Sequence, residues 1–187
     1  DAVPFSKVLS IGAGKAYTRP NVSGIDIAFV QYTGGTTGVS KGAMLTHRNL
    51  IANVEGINEW LMSKLRVSET RGQLTLIGAL PLYHVFALTI NGLCGLKWGA
   101  LNVLITNPKD IPAFVKKKKK FRFNIFPGLN TLFNGLLNNP NFSEIDFTDL
   151  KITIAGGMAL QKVVAERWEK VTGCPLVEGY GLSETSP

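Results

Sequence analysis

The chain has 187 residues, 45% of them hydrophobic, which predicts one domain, or part of one, with a sizeable core. Its two cysteines, Cys94 and Cys174, lie far apart and show no CxxC or Cys/His spacing, so the sequence indicates neither a disulfide framework nor a zinc site and favours a reducing cytoplasm. Much of the formal charge of +7 lies in Lys116–Lys120. A solvated helix end explains this run better than a nucleic-acid site, because no stacking aromatics alternate with the lysines, and an anionic membrane surface is a second candidate partner.

The pattern of residues in the first part of the chain predicts a strand followed by a long helix. Residues 1–24 carry no clear period and are predicted to be a connecting segment. Ile25–Tyr32 is an apolar run typical of a strand, and Thr46 is a suitable N-cap for a helix over about His47–Leu65. The apolar residues of that helix recur on one face, at Leu50, Val54, Ile57, Leu61 and Leu65.

The stretch Leu74–Leu96 carries no formal charge and is long enough to span a bilayer. Pro81, His84, Asn91 and repeated glycines interrupt it, so we predict a buried strand and a short helix instead of a transmembrane span. The strands predicted after the first helix are Leu74–Leu80, Leu101–Thr106, Arg122–Phe126, Ile152–Ala155 and Pro175–Val177.

Helical patterns separate these strands. The predicted helices are His84–Lys97, about Ile111–Lys119 behind an Asp110 cap, a helix carrying Leu129, Leu132, Phe133, Leu136 and Leu137, and about Leu160–Thr172 with Leu160, Val164, Trp168 and Val171 facing inward. Alternation of strands and helices predicts an α/β fold, with a mainly parallel sheet and helices on both faces. Ligands are then expected beyond the carboxyl ends of the strands.

The stretch Tyr32–Gly42 combines glycines, small hydroxyls and one lysine directly after a predicted strand. Glycine backbones can turn their N–H groups toward an anion, and Lys41 supplies a compact positive charge, so the composition is typical of a phosphate-binding loop. A flexible surface loop with a solvated lysine has the same composition. The spacing matches neither a Walker A loop nor the dinucleotide fingerprint.

Other polar or glycine-rich stretches also follow predicted strands. Leu80–His84 ends on a histidine that either orients a carboxylate or serves the structure. Ala155–Met158 contains paired glycines, which form either a tight turn or a bare backbone surface for a flat substrate. Glu178–Thr185 combines an aromatic ring, a hydroxyl and a carboxylate, as in an exposed polar turn or in a nucleotide and magnesium site.

Together these stretches resemble, in order and separation, the motifs of the adenylate-forming superfamily of acyl-CoA synthetases, luciferases and peptide-synthetase adenylation domains. Tyr32–Gly42 resembles the phosphate-binding signature, and Leu80–His84 resembles the P-x-(F/Y)-H element. Gly156-Gly157 resembles the G-G element, and Glu178–Thr185 resembles the Y-G-x-T-E motif. Ser183 stands where threonine is usual, so the hydroxyl is kept with weaker orientation expected.

Segments outside the motifs look like bacterial long-chain fatty-acid CoA ligases: Leu80–Asn91, Leu104–Pro112, Asn130–Asn139 and Val163–Trp168. The resemblance implies that residues 1–187 are a fragment of the large N-terminal AMP-binding domain of such a ligase. It implies that ATP and Mg²⁺ convert a long-chain fatty acid into acyl-adenylate and pyrophosphate, after which CoA takes the acyl group. Fatty acid, ATP and CoA are then the small-molecule partners.

The resemblance also implies roles for individual residues. Catalytic roles fall to Lys41, His84, Ser183 and Glu184, with Glu184 holding Mg²⁺. The acid is expected to lie against His84, Phe86, Leu88, Gly156 and Gly157. The nucleotide is expected to contact Tyr32, Thr33, Gly34, Gly35, Thr36, Thr37, Gly38, Val39, Ser40, Lys41, Gly156, Gly157, Met158, Glu178, Gly179, Tyr180, Gly181, Leu182 and Ser183.

The family's ribose-binding aspartate, its hinge and its small C-terminal domain with a catalytic lysine lie outside this chain, so we expect the fragment alone to have no ligase activity. A fatty-acyl-AMP ligase, or another acid-activating synthetase, is an alternative within the superfamily. A nucleotide-binding regulatory relative is an alternative outside the enzymes, and the presence of Lys41, Tyr180 and Glu184 disfavours it. The expected location is the cytoplasm, with peripheral contact at the inner membrane.

Overall fold

The computed structural model describes residues 2–33, 40–63, 65, 72–118 and 121–187. Its strands are β1 (Ile27–Thr33), β2 (Lys41–Thr46), β3 (Thr75–Gly78), β4 (Leu101–Leu104), β5 (Ile125–Gly128), β6 (Ile152–Ala155) and β7 (Leu176–Glu178). Five of them form one sheet in the order β4-β3-β5-β6-β7, and each pair in it is parallel. The prediction of a mainly parallel α/β sheet is therefore confirmed.

Helices connect these strands. They are α1 (Phe5–Gly12), α2 (His47–Met62), α3 (Val85–Ala87), a π-helix (Leu88–Cys94), α4 (Gly95–Lys97), α5 (Ile111–Lys118), α6 (Asn130–Leu137) and α7 (Lys162–Thr172), with 3₁₀ turns at Phe142–Glu144 and Ser183–Thr185. The two predicted N-caps are confirmed, since Thr46 Oγ1 accepts from Asn49 N at the start of α2 and Asp110 Oδ1 accepts from Ala113 N at the start of α5. The end of α2 differs, because this helix stops at Met62 and not at the predicted Leu65. Gly173, with φ 71°, ends α7 in the left-handed region.

The sheet is covered on both faces because its central strands are apolar at successive positions, which point to opposite sides. Leu76, Ile125 and Ile152 pack with the end of α2 and with Ile90 of the π-helix. Ile77 and Phe126 pack on the other side with residues of α5, α6 and α7. Helices on both faces are thus observed, as the alternating pattern predicts.

Aromatic rings fill the core between the sheet and α6 and α7. Trp168 is completely buried, and its ring lies 4.6 Å from that of Phe133 and 5.8 Å from that of Phe126, centroid to centroid. Phe142 and Phe147 close the same cluster. Trp168, predicted to face inward, is therefore the centre of this core.

Several details differ from the sequence predictions, and three of them concern α1, α7 and β5. Residues 1–24 contain a helix, α1, whose eight residues are all exposed; Phe5, Val8 and Leu9 recur at helical spacing, but eight residues are fewer than the about 11 over which a period is recognised. Val171, predicted to face inward, is 40% exposed. Thr172 is the last residue of α7 on the buried face, and its hydroxyl donates to Trp168 O. β5 begins at Ile125, three residues after the predicted start, and Asn124 bonds to Thr75 through its backbone and side chain.

A further difference concerns the first strands. β1 and β2 form a separate antiparallel hairpin, and β2 was not predicted. A Cβ on Gly42 would collide with Cγ1 of Val30, so this glycine lets the Val30 side chain of β1 lie across β2. The pairing is a tertiary contact, which the short sequence Lys41–Thr46 does not reveal. Among the helices described, none has both the length and the apolar character needed to cross a membrane.

Candidate active site

The order in which strands are added to the sheet changes side between β3 and β5, although all the strands of this sheet are parallel. It passes from β3 to β4 at one edge and then returns to the other side of β3, where β5, β6 and β7 follow in order. The loops after β3 and β5 therefore leave toward opposite faces and open a crevice at their carboxyl ends. Gly156 N donates to Gly128 O at 3.1 Å and Gly179 N donates to Ala155 O at 2.7 Å, which keeps the loops after β5, β6 and β7 adjacent.

His84 lies beside this crevice, at the end of the turn after β3. Its backbone N–H donates to Pro81 O at 3.0 Å, and its Nδ1 accepts from Phe86 N at 3.2 Å as the N-cap of α3. Since Nδ1 is an acceptor, the neutral ring carries its hydrogen on Nε2. The exposed imidazole therefore offers an N–H donor that suits a carboxylate oxygen.

The paired glycines after β6 contact the helix that follows His84. A Cβ on Gly156 would lie 3.1 Å from Cε1 and Cζ of Phe86 and 3.4 Å from Gly179 O. Gly157 has φ 75°, which favours glycine, and a Cβ there would lie 3.3 Å from Leu129 Cδ2. The fold thus places Gly156 against Phe86 and Gly179, and Gly157 against Leu129.

Two predicted neighbours of the acid and nucleotide lie at the edge of this group. Leu88 is partly buried at the first position of the π-helix, two residues after Phe86. Met158 follows the paired glycines and is 46% exposed. Both belong to the segments that form the crevice wall.

The end of β7 and the segment after it contain one side chain held by a hydrogen bond, that of Glu178, and several exposed residues. Glu178 Oε1 accepts from Leu160 N at 2.9 Å, so this carboxylate fixes the segment that leads into α7. Tyr180 is 90% exposed, which leaves its ring free to stack on a planar group. Gly181 and Leu182 lead into the 3₁₀ turn that carries Ser183 and Glu184.

This 3₁₀ turn packs against both strands of the hairpin. In the hairpin, Tyr32 pairs with Gly42 and Thr33 pairs with Lys41, and both Ser40 and Lys41 are exposed. The elements that carry Lys41 and Glu184 are therefore neighbours. The remaining residues predicted to contact phosphate lie outside the described residues: Gly34, Gly35, Thr36, Thr37, Gly38 and Val39.

The model of the AMP-binding enzyme family matches residues 2–187. The chain belongs to this family. It is 55% identical over 186 residues to a long-chain-fatty-acid--CoA ligase of Haemophilus influenzae, which covers 100% of this chain and 33% of that protein. It is 51% identical over 187 residues to the ligase of Escherichia coli O157:H7, again with 100% and 33% covered. The chain thus spans 33% of the length of these relatives.

Solved structures agree with the fold of this AMP-binding enzyme. Apo MatB from Rhodopseudomonas palustris matches with a TM-score of 0.74 at 27% identity, over 95% of this chain and 34% of that one. ATP-bound MatB from the same organism matches with a TM-score of 0.73 at 28% identity, over 96% and 34%. The N-terminal domain of FACL13 from Mycobacterium tuberculosis matches in fold with a TM-score of 0.73 at 23% identity, over 97% and 44%.

The acidic side chains of this AMP-binding family member can be compared with the ligands that a magnesium ion needs. Among the described residues there is no group of three or more His, Cys, Asp or Glu side chains that could hold a metal ion. Mg²⁺ needs only one or two carboxylates when substrate phosphates complete its coordination. The exposed carboxylate of Glu184, close to the hairpin, fits that requirement.

The cysteines are not candidate nucleophiles. Burial raises the pKa of the Cys94 thiol to about 12, and burial also raises the pKa of Cys174. Both thiols therefore stay protonated at neutral pH, whereas a reactive cysteine needs its thiolate.

Two polar residues that form hydrogen bonds near the site, Asn130 and Gln31, were not identified from the sequence motifs. Asn130, buried at the start of α6, accepts from Gln161 N at 3.0 Å and so joins the loops after β5 and β6. Gln31 of β1 donates from Nε2 to Tyr83 O at 3.0 Å. The sequence marks Gln31 and Asn130 only as polar residues inside or shortly after an apolar strand. It does not indicate which groups they bind.

Proposed function

We propose that the full-length protein is a long-chain fatty-acid CoA ligase that forms AMP. The carboxylate of the fatty acid attacks the α-phosphorus of ATP to give acyl-adenylate and pyrophosphate, and the CoA thiol then attacks the acyl carbon to give acyl-CoA and AMP. The ligases of Haemophilus influenzae and Escherichia coli, at 55% and 51% identity, support this substrate class.

One structural observation carries the proposal: the ring of Phe86 lies against the bare backbone of Gly156, next to His84, at the crevice between β3 and β5. An apolar ring beside an exposed imidazole provides both parts of a fatty-acid site. The acyl chain would contact Phe86 and Leu88, and the carboxylate would accept a hydrogen bond from Nε2 of His84.

The nucleotide would occupy the side of the crevice formed by β6, β7 and the hairpin. Tyr180 would stack on adenine, and the backbone at Gly156 and Gly157 would let the base approach closely. The loop around Lys41 would bind the β- and γ-phosphates, and Ser183 would donate to phosphate oxygen. Mg²⁺ held by Glu184 would neutralise charge on the phosphates.

These groups act mainly by position and charge. Phosphoryl and adenylyl transfer need little covalent help from a protein, so holding the carboxylate in line with the α-phosphorus and stabilising the departing pyrophosphate are the main contributions. The domain assignment is part of the proposal: residues 1–187 belong to the AMP-binding domain, and a C-terminal domain outside this chain supplies the catalytic lysine. The isolated chain is accordingly expected to be inactive.

We also propose that the enzyme acts in the cytoplasm in peripheral contact with the inner membrane. Lys116, exposed near the end of α5, begins the lysine run, and each lysine near an anionic surface contributes about 1 kcal/mol. Co-sedimentation of the full-length protein with vesicles containing phosphatidylglycerol tests this. Binding that equals the binding to phosphatidylcholine vesicles would contradict it.

The function is tested by palmitate-dependent exchange of labelled pyrophosphate into ATP, with the CoA thioester assayed in parallel. We expect exchange and thioester with palmitate, and neither with an aromatic acid. Exchange without thioester would identify a fatty-acyl-AMP ligase instead. A protein that binds ATP without any exchange would be a nucleotide-binding regulatory relative.

A further inference from the structure

The hairpin that leads into the phosphate-binding stretch is joined to the turn that holds His84 by one amide. Gln31 is partly buried in β1, and its Nε2 donates to Tyr83 O at 3.0 Å and to Tyr32 O at 3.3 Å. An amide nitrogen carries two hydrogens, so both have an acceptor. The side chain is thus held between its own strand and the neighbouring turn.

The two acceptors are placed next to the proposed reacting groups. Tyr83 directly precedes His84, whose N–H closes the turn onto Pro81 O at 3.0 Å. Gln31 lies two residues before Thr33, the partner of Lys41 across the hairpin. One hydrogen bond therefore connects the backbone that carries the acid-binding imidazole with the strand that carries the phosphate-binding loop.

A second contact makes this connection rigid. Leu45 of β2 is buried in one cluster with Leu50 of α2 and Val85 of α3, and Ala43 and Leu93 pack against it. The base of the hairpin therefore rests on the helix that begins after His84. The apolar cluster extends to Ala43, the partner of Gln31 across the hairpin, so the cluster and the Gln31 amide both hold the hairpin against the segment around His84.

We propose that Gln31 is a positioning residue that couples the ATP-phosphate site to the fatty-acid carboxylate site. This inference rests on the proposed function. By fixing the hairpin relative to the His84 turn, Gln31 sets the separation between the carboxylate oxygen and the α-phosphorus, between which the new bond forms as the bond to pyrophosphate breaks. The coupling should make each substrate bind more tightly in the presence of the other.

The test uses the full-length enzyme and the substitutions Gln31→Met and Gln31→Glu. Methionine keeps the length of the side chain without N–H donors, and glutamate keeps its shape but places a carboxylate opposite two carbonyl oxygens. Gln73→Met is the matched control, because Gln73 Nε2 donates to Gly99 O at 2.8 Å in an equivalent side-chain-to-carbonyl bond at the other end of the sheet.

Loss of one such bond should lower kcat for palmitate-dependent pyrophosphate exchange by about tenfold. In calorimetry, an ATP analogue with a methylene bridge between its α- and β-phosphorus, which cannot release pyrophosphate, should tighten palmitate binding to the wild type and to Gln73→Met, but not to either Gln31 variant. The Kd of the analogue alone should stay within about twofold, since only the coupling is removed. Thermal midpoints should match between the Gln31→Met and Gln73→Met variants.

Each alternative outcome has a separate meaning. If the wild type exchanges with palmitate and both Gln31 variants keep the kcat and the coupling of Gln73→Met, the inference is wrong and the proposed function stands. If the wild type shows no palmitate-dependent exchange, the proposed function is wrong and the inference fails with it. Should Gln31→Met not fold, the isosteric Gln31→Glu gives the same readouts.

Discussion

The ring of Phe86 lies against the backbone of Gly156, so that a Cβ at position 156 would be 3.1 Å from Cε1 and Cζ of that ring. These residues belong to different motifs, one after β3 and one after β6, and their contact closes the crevice from both sides. Because Gly179 O lies only 3.4 Å from the same position, a side chain there cannot avoid the ring by moving toward β7.

We therefore predict that Gly156→Ala displaces the Phe86 ring and weakens fatty-acid binding. Overpacking of this kind costs about 1–3 kcal/mol, which corresponds to a rise in KM for palmitate of roughly tenfold. The KM for ATP should change less, because the displaced ring belongs to the proposed acid site. Steady-state kinetics of pyrophosphate exchange measures both constants.

The matched control is the double variant Gly156→Ala with Phe86→Leu, in which the smaller side chain makes room for the new methyl group. The double-mutant cycle should show that the two changes are not additive, with KM closer to the wild type than Gly156→Ala alone. Additive effects would show that Phe86 and Gly156 do not share one acid surface.

Local signals in the sequence predicted much of the fold. Thr46 and Asp110 cap their helices and Gly173 ends α7, because capping depends on residues within one turn of the chain. The alternating strands and helices likewise predicted the covered parallel sheet. α1 was not predicted because its eight residues are fewer than the about 11 over which a helical period is recognised. β2 was not predicted because its pairing depends on a partner strand.

The candidate site was predictable to a similar degree. Resemblance identified His84 and Gly156, and the topology explains why they meet at one crevice. The partners of Gln31 and Glu178 were not predictable, because Tyr83 O and Leu160 N reach them only through the folded chain. Sequence thus indicates which residue types carry chemistry, whereas the contacts that position them require the structure.

Removing the charge of Glu184 should separate its proposed role as a magnesium ligand from a structural role. Glu184→Gln keeps the shape of the side chain, and we expect a fall in kcat of about 100-fold or more, because the amide would hold less tightly the Mg²⁺ whose charge is proposed to stabilise the leaving pyrophosphate. The Mg²⁺ concentration for half-maximal rate should rise. A titration of the exchange rate with MgCl₂ measures this.

Glu166→Gln is the control for loss of one exposed carboxylate, since Glu166 lies on α7 and pairs only with Lys162 at 3.7 Å in the part of the chain that the structure describes. Its kcat and Mg²⁺ dependence should match the wild type. A Glu184→Gln enzyme with an unchanged Mg²⁺ requirement would remove Glu184 from the metal site.

Trp168→Phe should lower the free energy of unfolding by less than expected from the complete burial of Trp168. Within the described residues the indole Nε1 of Trp168 has no hydrogen-bond partner, and an unpaired buried donor costs about 1–3 kcal/mol. Phenylalanine removes that donor, which offsets part of the cavity it leaves, whereas Trp168→Ala should lose about 3–5 kcal/mol. Urea unfolding gives both values, and equal losses would contradict this account.

The buried thiol of Cys94 should make stability depend on alkaline pH. Burial raises its pKa from 9.0 to about 12, so the folded protein keeps this proton where the unfolded chain loses it. The contribution of the protonated thiol to the free energy of unfolding is therefore complete below pH 9 and declines as the pH rises toward 12, by at most about 1.4 kcal/mol per pH unit.

The difference in free energy of unfolding between wild type and Cys94→Ala should shrink from pH 9 to pH 10, whereas the difference for Val103→Ala, which removes no titrating group, should stay constant. A Cys94→Ala difference that does not change with pH would show that the thiol ionises as readily in the fold as in the unfolded chain.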